Sequence, residues 1–204
     1  MTSRASPGLI SDWWRSVDRW FLAAFLLLLV AGMMLSFAAS PPVAERIGLD
    51  PFHFTRRHAV FLVPSIAIML GVSLLSPHMI RRASLVLLGG SLVVMVMALF
   101  FGMEVKGARR WMEFGPITVQ PSEFMKPAFV IVCAWLLAER ARRPEIPGNF
   151  LSLILLFTVS ALLVAQPDLG QTVLTAGVWG ALFFMAGMPW LWVVVLGGVG
   201  AAGL

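Results

Sequence analysis

Seven apolar runs set the terms on which this chain can fold: Trp20–Ser40, Ala59–Ser76, Ala83–Gly102, Phe124–Ala138, Phe150–Ala165, Thr172–Met188 and Trp190–Leu204. A helix that crosses a bilayer needs about 20 such residues. The runs therefore predict an all-α fold, a polytopic transmembrane helix bundle with about seven spans present. Composition agrees: 59% of the residues are hydrophobic, 12% are charged, and the mean hydropathy is +0.90. Soluble domains carry about 25% charged residues. The first run is too long for the apolar region of a cleavable signal peptide.

The net charge of +5 is read through the membrane, because Lys and Arg collect in cytoplasmic loops. No basic stripe is long or contiguous, so nucleic acid is not an expected partner. With the N-terminus inside, the inner segments hold Arg4, Arg15, Arg19, Arg81, Arg82, Arg140, Arg142 and Arg143. The outer ones hold Arg46, Arg56, Arg57, Lys106, Arg109 and Arg110, a count of eight against six. Residues 1–19 read as a cytoplasmic interfacial segment, with Trp13, Trp14 and Trp20 at headgroup level. Residues 20–204 read as the transmembrane domain. The last run ends without a polar anchor, so the chain is expected to be the N-terminal part of a longer protein, lacking its C-terminal spans. Cys133, in an apolar run, reads as a small buried apolar residue. His53, His58 and His78 show no metal-ligand spacing. Gly71, Gly89, Gly90, Gly177, Gly180 and Gly187 are expected to be close contacts between helices.

Ionisable groups inside or beside a span point to function, and they concentrate between residues 105 and 126. Arg109 and Arg110 precede Trp111, and residues 111–119 suggest two short extended pieces around the Gly115-Pro116 turn. Gln120-Pro121 ends the loop, Ser122 is the expected N-cap of the next helix, and Glu123 suits its first turn. Glu123 and Lys126, three apart, share a face. They read either as a neutralised structural pair or as a charged wall facing a polar cavity, and the upstream Arg-Arg-Trp run favours the wall. Arginine suits phosphate and an indole face suits a lipid or sugar, although an interfacial belt would use the same residues. A second cluster, Gln166-Pro167-Asp168-Leu169-Gly170-Gln171, joins the fifth and sixth runs. Pro167 stops one helix, and Asp168 with Gln171 makes a capping box for the next. Capping accounts for Asp168 better than a catalytic role does.

Three segments in order, Lys106-Gly107-Ala108-Arg109-Arg110-Trp111, Gln120-Pro121-Ser122-Glu123-Phe124-Met125-Lys126 and Gln166-Pro167-Asp168-Leu169-Gly170, resemble the SEDS family. The segment from Ala44 to Phe54 is similar to its cell-division branch more than to the elongation paralogue. The resemblance runs from the first span onward. It implies a bundle of about ten spans with both termini cytoplasmic, in the inner membrane of a bacterial cell at the division septum. The implied activity is peptidoglycan glycosyl transfer, which polymerises lipid II by moving the growing glycan from its undecaprenyl pyrophosphate carrier to the next disaccharide. The implied partners are lipid II, membrane lipids, a class B penicillin-binding protein (an FtsI-like transpeptidase) and other divisome membrane proteins.

By the same resemblance, Glu123 and Lys126 line the cavity, and Arg110 and Trp111 matter for function. Arg109, Gln120 and Ser122 join them as substrate-binding candidates, while Pro121, Gln166, Pro167, Asp168 and Gly170 are structural. The family's proposed catalytic Asp lies after the seventh span, beyond residue 204, with Lys126 as its partner; its role does not pass to Asp168. A divalent cation, Mg or Mn, is the expected cofactor. The chain as given is expected to be inactive alone. A lipid II flippase and a non-catalytic scaffold that recruits the transpeptidase are the alternatives.

Overall fold

In the computed structural model, which describes residues 9–105, 107–115, 117–187, 191 and 198, the apolar runs become helices. One unit, ending at Ser76, holds α1 (Leu9–Ser16), α2 (Arg19–Arg46) and α3 (His53–Ser73). A second, beginning at Pro77, holds α4 (Pro77–Phe101), α5 (Pro121–Arg142), α6 (Gly148–Ala165) and α7 (Leu169–Met185). Helices α2 to α6, five in number, are long and apolar enough to cross a membrane, and α7 is a shorter apolar helix. The fold is a polytopic helix bundle. The run Trp190–Leu204 lies, but for positions 191 and 198, outside the described residues.

In the first unit the Trp-rich segment forms a helix of its own, because Asp18 starts a new one. The Asp18 carboxylate accepts hydrogen bonds from the backbone N–H groups of Trp20 and Phe21 at 2.9 and 3.1 Å, which satisfies two of the donors a helix start leaves open. The Trp13 indole does more than anchor: it donates to Ser73 Oγ at 2.8 Å and so ties α1 to the end of α3. Pro41 and Pro42 sit in the last turns of α2 and lack N–H groups. Near them Ser40 Oγ donates to the Pro51 carbonyl at 2.8 Å, and Thr55 Oγ1 donates to the Ser36 carbonyl at 3.2 Å. These two bonds close the α2–α3 hairpin. Otherwise α2 is barely covered by protein, as suits a helix whose solvent is lipid.

The second unit is built around α5, which touches α4, α6 and α7. Its buried positions Met125, Ala128, Phe129, Val132, Cys133 and Leu137 recur at helical spacing. They meet Leu88 and Met95 of α4, Val159 and Leu163 of α6, and Trp179 and Phe183 of α7. Cys133 is thus the buried apolar residue the sequence suggests.

Between α4 and α5 the chain forms a three-stranded antiparallel sheet in the order β1 (Met103–Val105), β2 (Ala108–Phe114), β3 (Ile117–Val119). Strands β2 and β3 are the two extended pieces expected around the Gly-Pro turn. Strand β1 was not expected, since three residues at the foot of an apolar helix carry no strand pattern. Gly107 and Gly115, at φ +78° and +63°, take the left-handed conformations that the two turns need. The ladder pairs Met103 with Trp111 and Glu104 with Arg109. It skips Arg110, which makes a β-bulge there.

The glycine expectation needs correction. A methyl group added at Gly71, Gly89, Gly90, Gly177 or Gly187 would meet nothing within 4 Å, while Gly180 is buried. Close approach is found instead at Gly102, where a methyl would land on the Ala98 carbonyl, and between helices at Gly148, where it would land on the Leu136 carbonyl of α5. Gly148 lies at a helix start, outside the apolar interior where small-residue contacts were sought. Gly148→Ala is expected to destabilise the protein by about 1–3 kcal/mol through overpacking. Gly89→Ala is expected to leave the melting temperature unchanged or slightly raised. Thermal unfolding of both variants in detergent checks this.

Candidate active site

The three motif segments, separate in sequence, meet at one end of the second unit, where β2, the start of α5 and the α6–α7 turn come together. Arg110, at the bulge, sends its guanidinium to Asp168 Oδ2 at 3.1 Å, with side-chain exposures of 32% and 10%. Gln120 Nε2 makes a longer contact with the same oxygen at 3.5 Å and donates to Ser122 Oγ at 3.0 Å. One turn into α5, Lys126 Nζ donates to Glu123 Oε1 at 2.8 Å and to Gln171 Oε1 at 2.9 Å. Gln166 is wholly buried, and its side-chain amide donates to the Met95 carbonyl of α4 at 3.0 Å. The α6–α7 turn is thereby pinned to three neighbours by side chains, with Thr172 Oγ1 donating to its Asp168 carbonyl at 2.9 Å.

Two capping expectations fail here. The Asp168 side chain makes no cap hydrogen bond, because its carboxylate faces Arg110, and a charged donor outcompetes a backbone N–H. Gln171 does not reach back to close a box; Lys126 takes its oxygen. Ser122 is not the N-cap of α5. Gln120 holds that position and Pro121 begins the helix, because a proline's fixed φ and missing N–H suit a first helical residue. Ser122 is buried at 1% exposure, with its hydroxyl accepting from the Gln120 amide.

The structure also separates residues that the sequence grouped. Arg109 pairs with Glu104 across the β1–β2 ladder at 3.3 Å, both exposed, so it stands outside the cluster. Trp111 follows Arg110 and is 36% exposed. Pro121 is buried at the start of α5, Pro167 follows the end of α6, and Gly170 has open space around it. Gln171 is the site residue that sequence reasoning missed: it was seen as a capping partner, and only the packing of α7 against α5 brings it to the lysine.

The described residues include no group of three or more His, Cys, Asp or Glu side chains placed to hold a metal ion. The cluster's two carboxylates, Glu123 and Asp168, are each paired with a cationic side chain. These residues by themselves therefore do not form a divalent-cation site. What the cluster offers is two fixed cations, Arg110 and Lys126, on the rim of a helix bundle.

Residues 18–204 match the model of the cell cycle protein family FtsW/RodA/SpoVE. A probable peptidoglycan glycosyltransferase FtsW of Caulobacter vibrioides is 47% identical over the whole chain, which covers 52% of that protein. An Idiomarina loihiensis protein of the same name is 36% identical over 83% of this chain and 42% of its own length. Among solved structures, the rod shape determining protein RodA of Thermus thermophilus matches with a TM-score of 0.68 at 28% identity, covering 88% of this chain and 58% of that one. A chain of a peptidoglycan synthase complex that coordinates polymerization and crosslinking matches with a TM-score of 0.70 at 28% identity, covering 93% and 53%. This chain thus spans about half the length of the curated relatives it matches. With its motifs gathered at one site on a matching bundle, the chain belongs to the FtsW/RodA/SpoVE family of cell cycle proteins, the SEDS family.

Proposed function

We propose that these residues supply the scaffold and the cationic half of the active site of a glycosyltransferase that polymerises lipid II at the division septum. The observation that carries this reading is the placement of Lys126, an ammonium at the mouth of an apolar bundle, held at two points beside the Arg110–Asp168 pair. The relatives' name, peptidoglycan glycosyltransferase, supports it. A carboxylate acting as general base takes the proton of the acceptor sugar hydroxyl. The acceptor oxygen then bonds to the anomeric carbon as that carbon's bond to the pyrophosphate oxygen breaks, and the carrier pyrophosphate leaves with the electron pair. Negative charge grows on the leaving pyrophosphate, and preorganised cations stabilise it. Arg110 suits this role, because Asp168 takes one edge of its guanidinium and leaves further donors for phosphate. Lys126 stands beside the base, which the family pattern puts beyond residue 204.

Partnership with a class B penicillin-binding protein belongs to the same proposal. So does the topology: the N-terminus and the basic end of α5, with Arg140, Arg142 and Arg143, face the cytoplasm, and the cluster faces outward. A divalent cation, Mg or Mn, is retained as a proposed assay component.

The test is lipid II polymerisation in detergent with the transpeptidase partner and a divalent cation, read as a glycan ladder. Residues 1–204 are expected to give no polymer, and a chain of the relatives' full length is expected to give it. Polymer from residues 1–204 alone would move the base to Asp168 or Glu123. Transbilayer movement of lipid II in liposomes without any polymer would replace the proposal with a flippase. Intact transpeptidase recruitment with neither activity would leave a scaffold.

A further inference from the structure

An ammonium has three N–H donors, and the contacts of Lys126 account for two of them. Its two partners are not equivalent. Glu123 lies one turn back on the same helix and its side chain is 52% exposed. Water screens that attraction, and the carboxylate can follow the lysine wherever it turns. Gln171 stands on α7, half-buried, just after a helix start that Arg110 and Gln120 already grip through Asp168. The Lys126–Gln171 bond, at 2.9 Å, is thus the one that fixes the ammonium against a second, immobilised helix. Its acceptor is an amide oxygen, so it sets position without neutralising charge.

We propose that Gln171 is a positioning residue of the active site, whose side-chain oxygen fixes the Lys126 ammonium against α7 and leaves the third N–H for the reacting groups. This rests on the glycosyltransferase reading above. Without the acceptor, a four-carbon stem regains its rotamers, and misplacing a charge by an ångström at a reacting centre costs up to about a hundredfold in rate.

The experiment uses a chain of the relatives' full length with its transpeptidase partner, and compares Gln171→Leu, which keeps shape and removes the acceptor, with Gln171→Glu, which keeps an acceptor at the same reach. Gln171→Leu is expected to lower kcat by about tenfold to a hundredfold with KM for lipid II unchanged. Gln171→Glu is expected to stay well above it. Turnover at the unsubstituted level in Gln171→Leu, or equal impairment in the two variants, overturns the proposal.

A second readout is independent of activity. The 204 residues contain two lysines, Lys106 and Lys126, so reductive methylation resolved by peptide reports on Lys126 with Lys106 as an internal control. Gln171→Leu is expected to speed Lys126 methylation by roughly tenfold, the weight of one charge-assisted hydrogen bond. An unchanged Lys126 rate overturns the proposal even if turnover falls. If no version of the protein forms polymer, the glycosyltransferase reading fails, and the labelling rate alone decides whether Gln171 holds the lysine.

Discussion

Lys126→Met is expected to lower lipid II polymerisation by about a hundredfold to a thousandfold, the usual cost of removing one preorganised group that meets developing charge. Folding should hardly change. Of the two side chains left behind, Glu123 is half exposed and can turn to water, and Gln171 is neutral and half-buried, so the loss in stability is expected to stay at about 1 kcal/mol, the net worth of one hydrogen bond. The contrast between a large kinetic loss and a small thermodynamic one separates a working cation from a structural pair, the alternative that sequence alone left open. Lys126→Arg is not expected to restore activity, because a planar fork cannot take the two-point hold that Glu123 and Gln171 give a compact ammonium. Glycan ladders and thermal melts on the same preparations check both halves. Polymerisation within tenfold of the unsubstituted protein would remove Lys126 from the chemistry.

The Arg110–Asp168 pair should behave in the opposite way, and asymmetrically. Asp168 keeps only 10% of its side-chain exposure, while Arg110 keeps 32%. Removing the arginine strands a buried carboxylate with one long contact to Gln120. Removing the carboxylate strands a guanidinium that reaches water. Arg110→Met is therefore expected to cost about 2–4 kcal/mol of folding stability, and Asp168→Asn about 1 kcal/mol. The double variant should recover more than 1 kcal/mol of the summed loss, a coupling typical of groups in direct contact. Unfolding midpoints of the three variants in detergent provide the measurement. Equal costs for the single variants would mean that the pair is better solvated than its exposure implies.

The helices were legible because lipid imposes one rule along the whole chain. The first six apolar runs each became a helix, and the fourth reaches past its run to Pro121 at one end and Arg142 at the other, because the flanking residues still satisfy helical geometry. The loop between the third and fourth runs was legible in part, because Gly-Pro and the aromatic, β-branched residues around it announce a hairpin. Local chemistry misled at the helix starts. Asp168 has the spacing of a capping residue and Ser122 the identity of one, but an arginine from β2 claims the first and a proline displaces the second. Both competitors are settled by tertiary contact or by a neighbour's ring rather than by the residue's own preference. Gln171 was out of reach for the same reason. Nothing near it in sequence indicates that a lysine 45 positions earlier will be its partner. Asp18, by contrast, obeys the ordinary capping rule and could have been read from its place before Trp20 and Phe21.

Alternation along β2 turns two adjacent arginines into a binary choice. Successive side chains of a strand point to opposite faces, so a regular ladder fixes by parity alone which of Arg109 and Arg110 can face inward. The burial of β2 alternates through this pair, sending Arg109 to Glu104 in the open and Arg110 to Asp168 beneath. Lengthening or shortening the Gly107 turn by one residue would exchange these assignments while leaving composition, charge and hydropathy almost unchanged. Function at this rim thus depends on a count of residues as much as on their identity, and a homologue with an altered turn length should be aligned by that count before its arginines are compared.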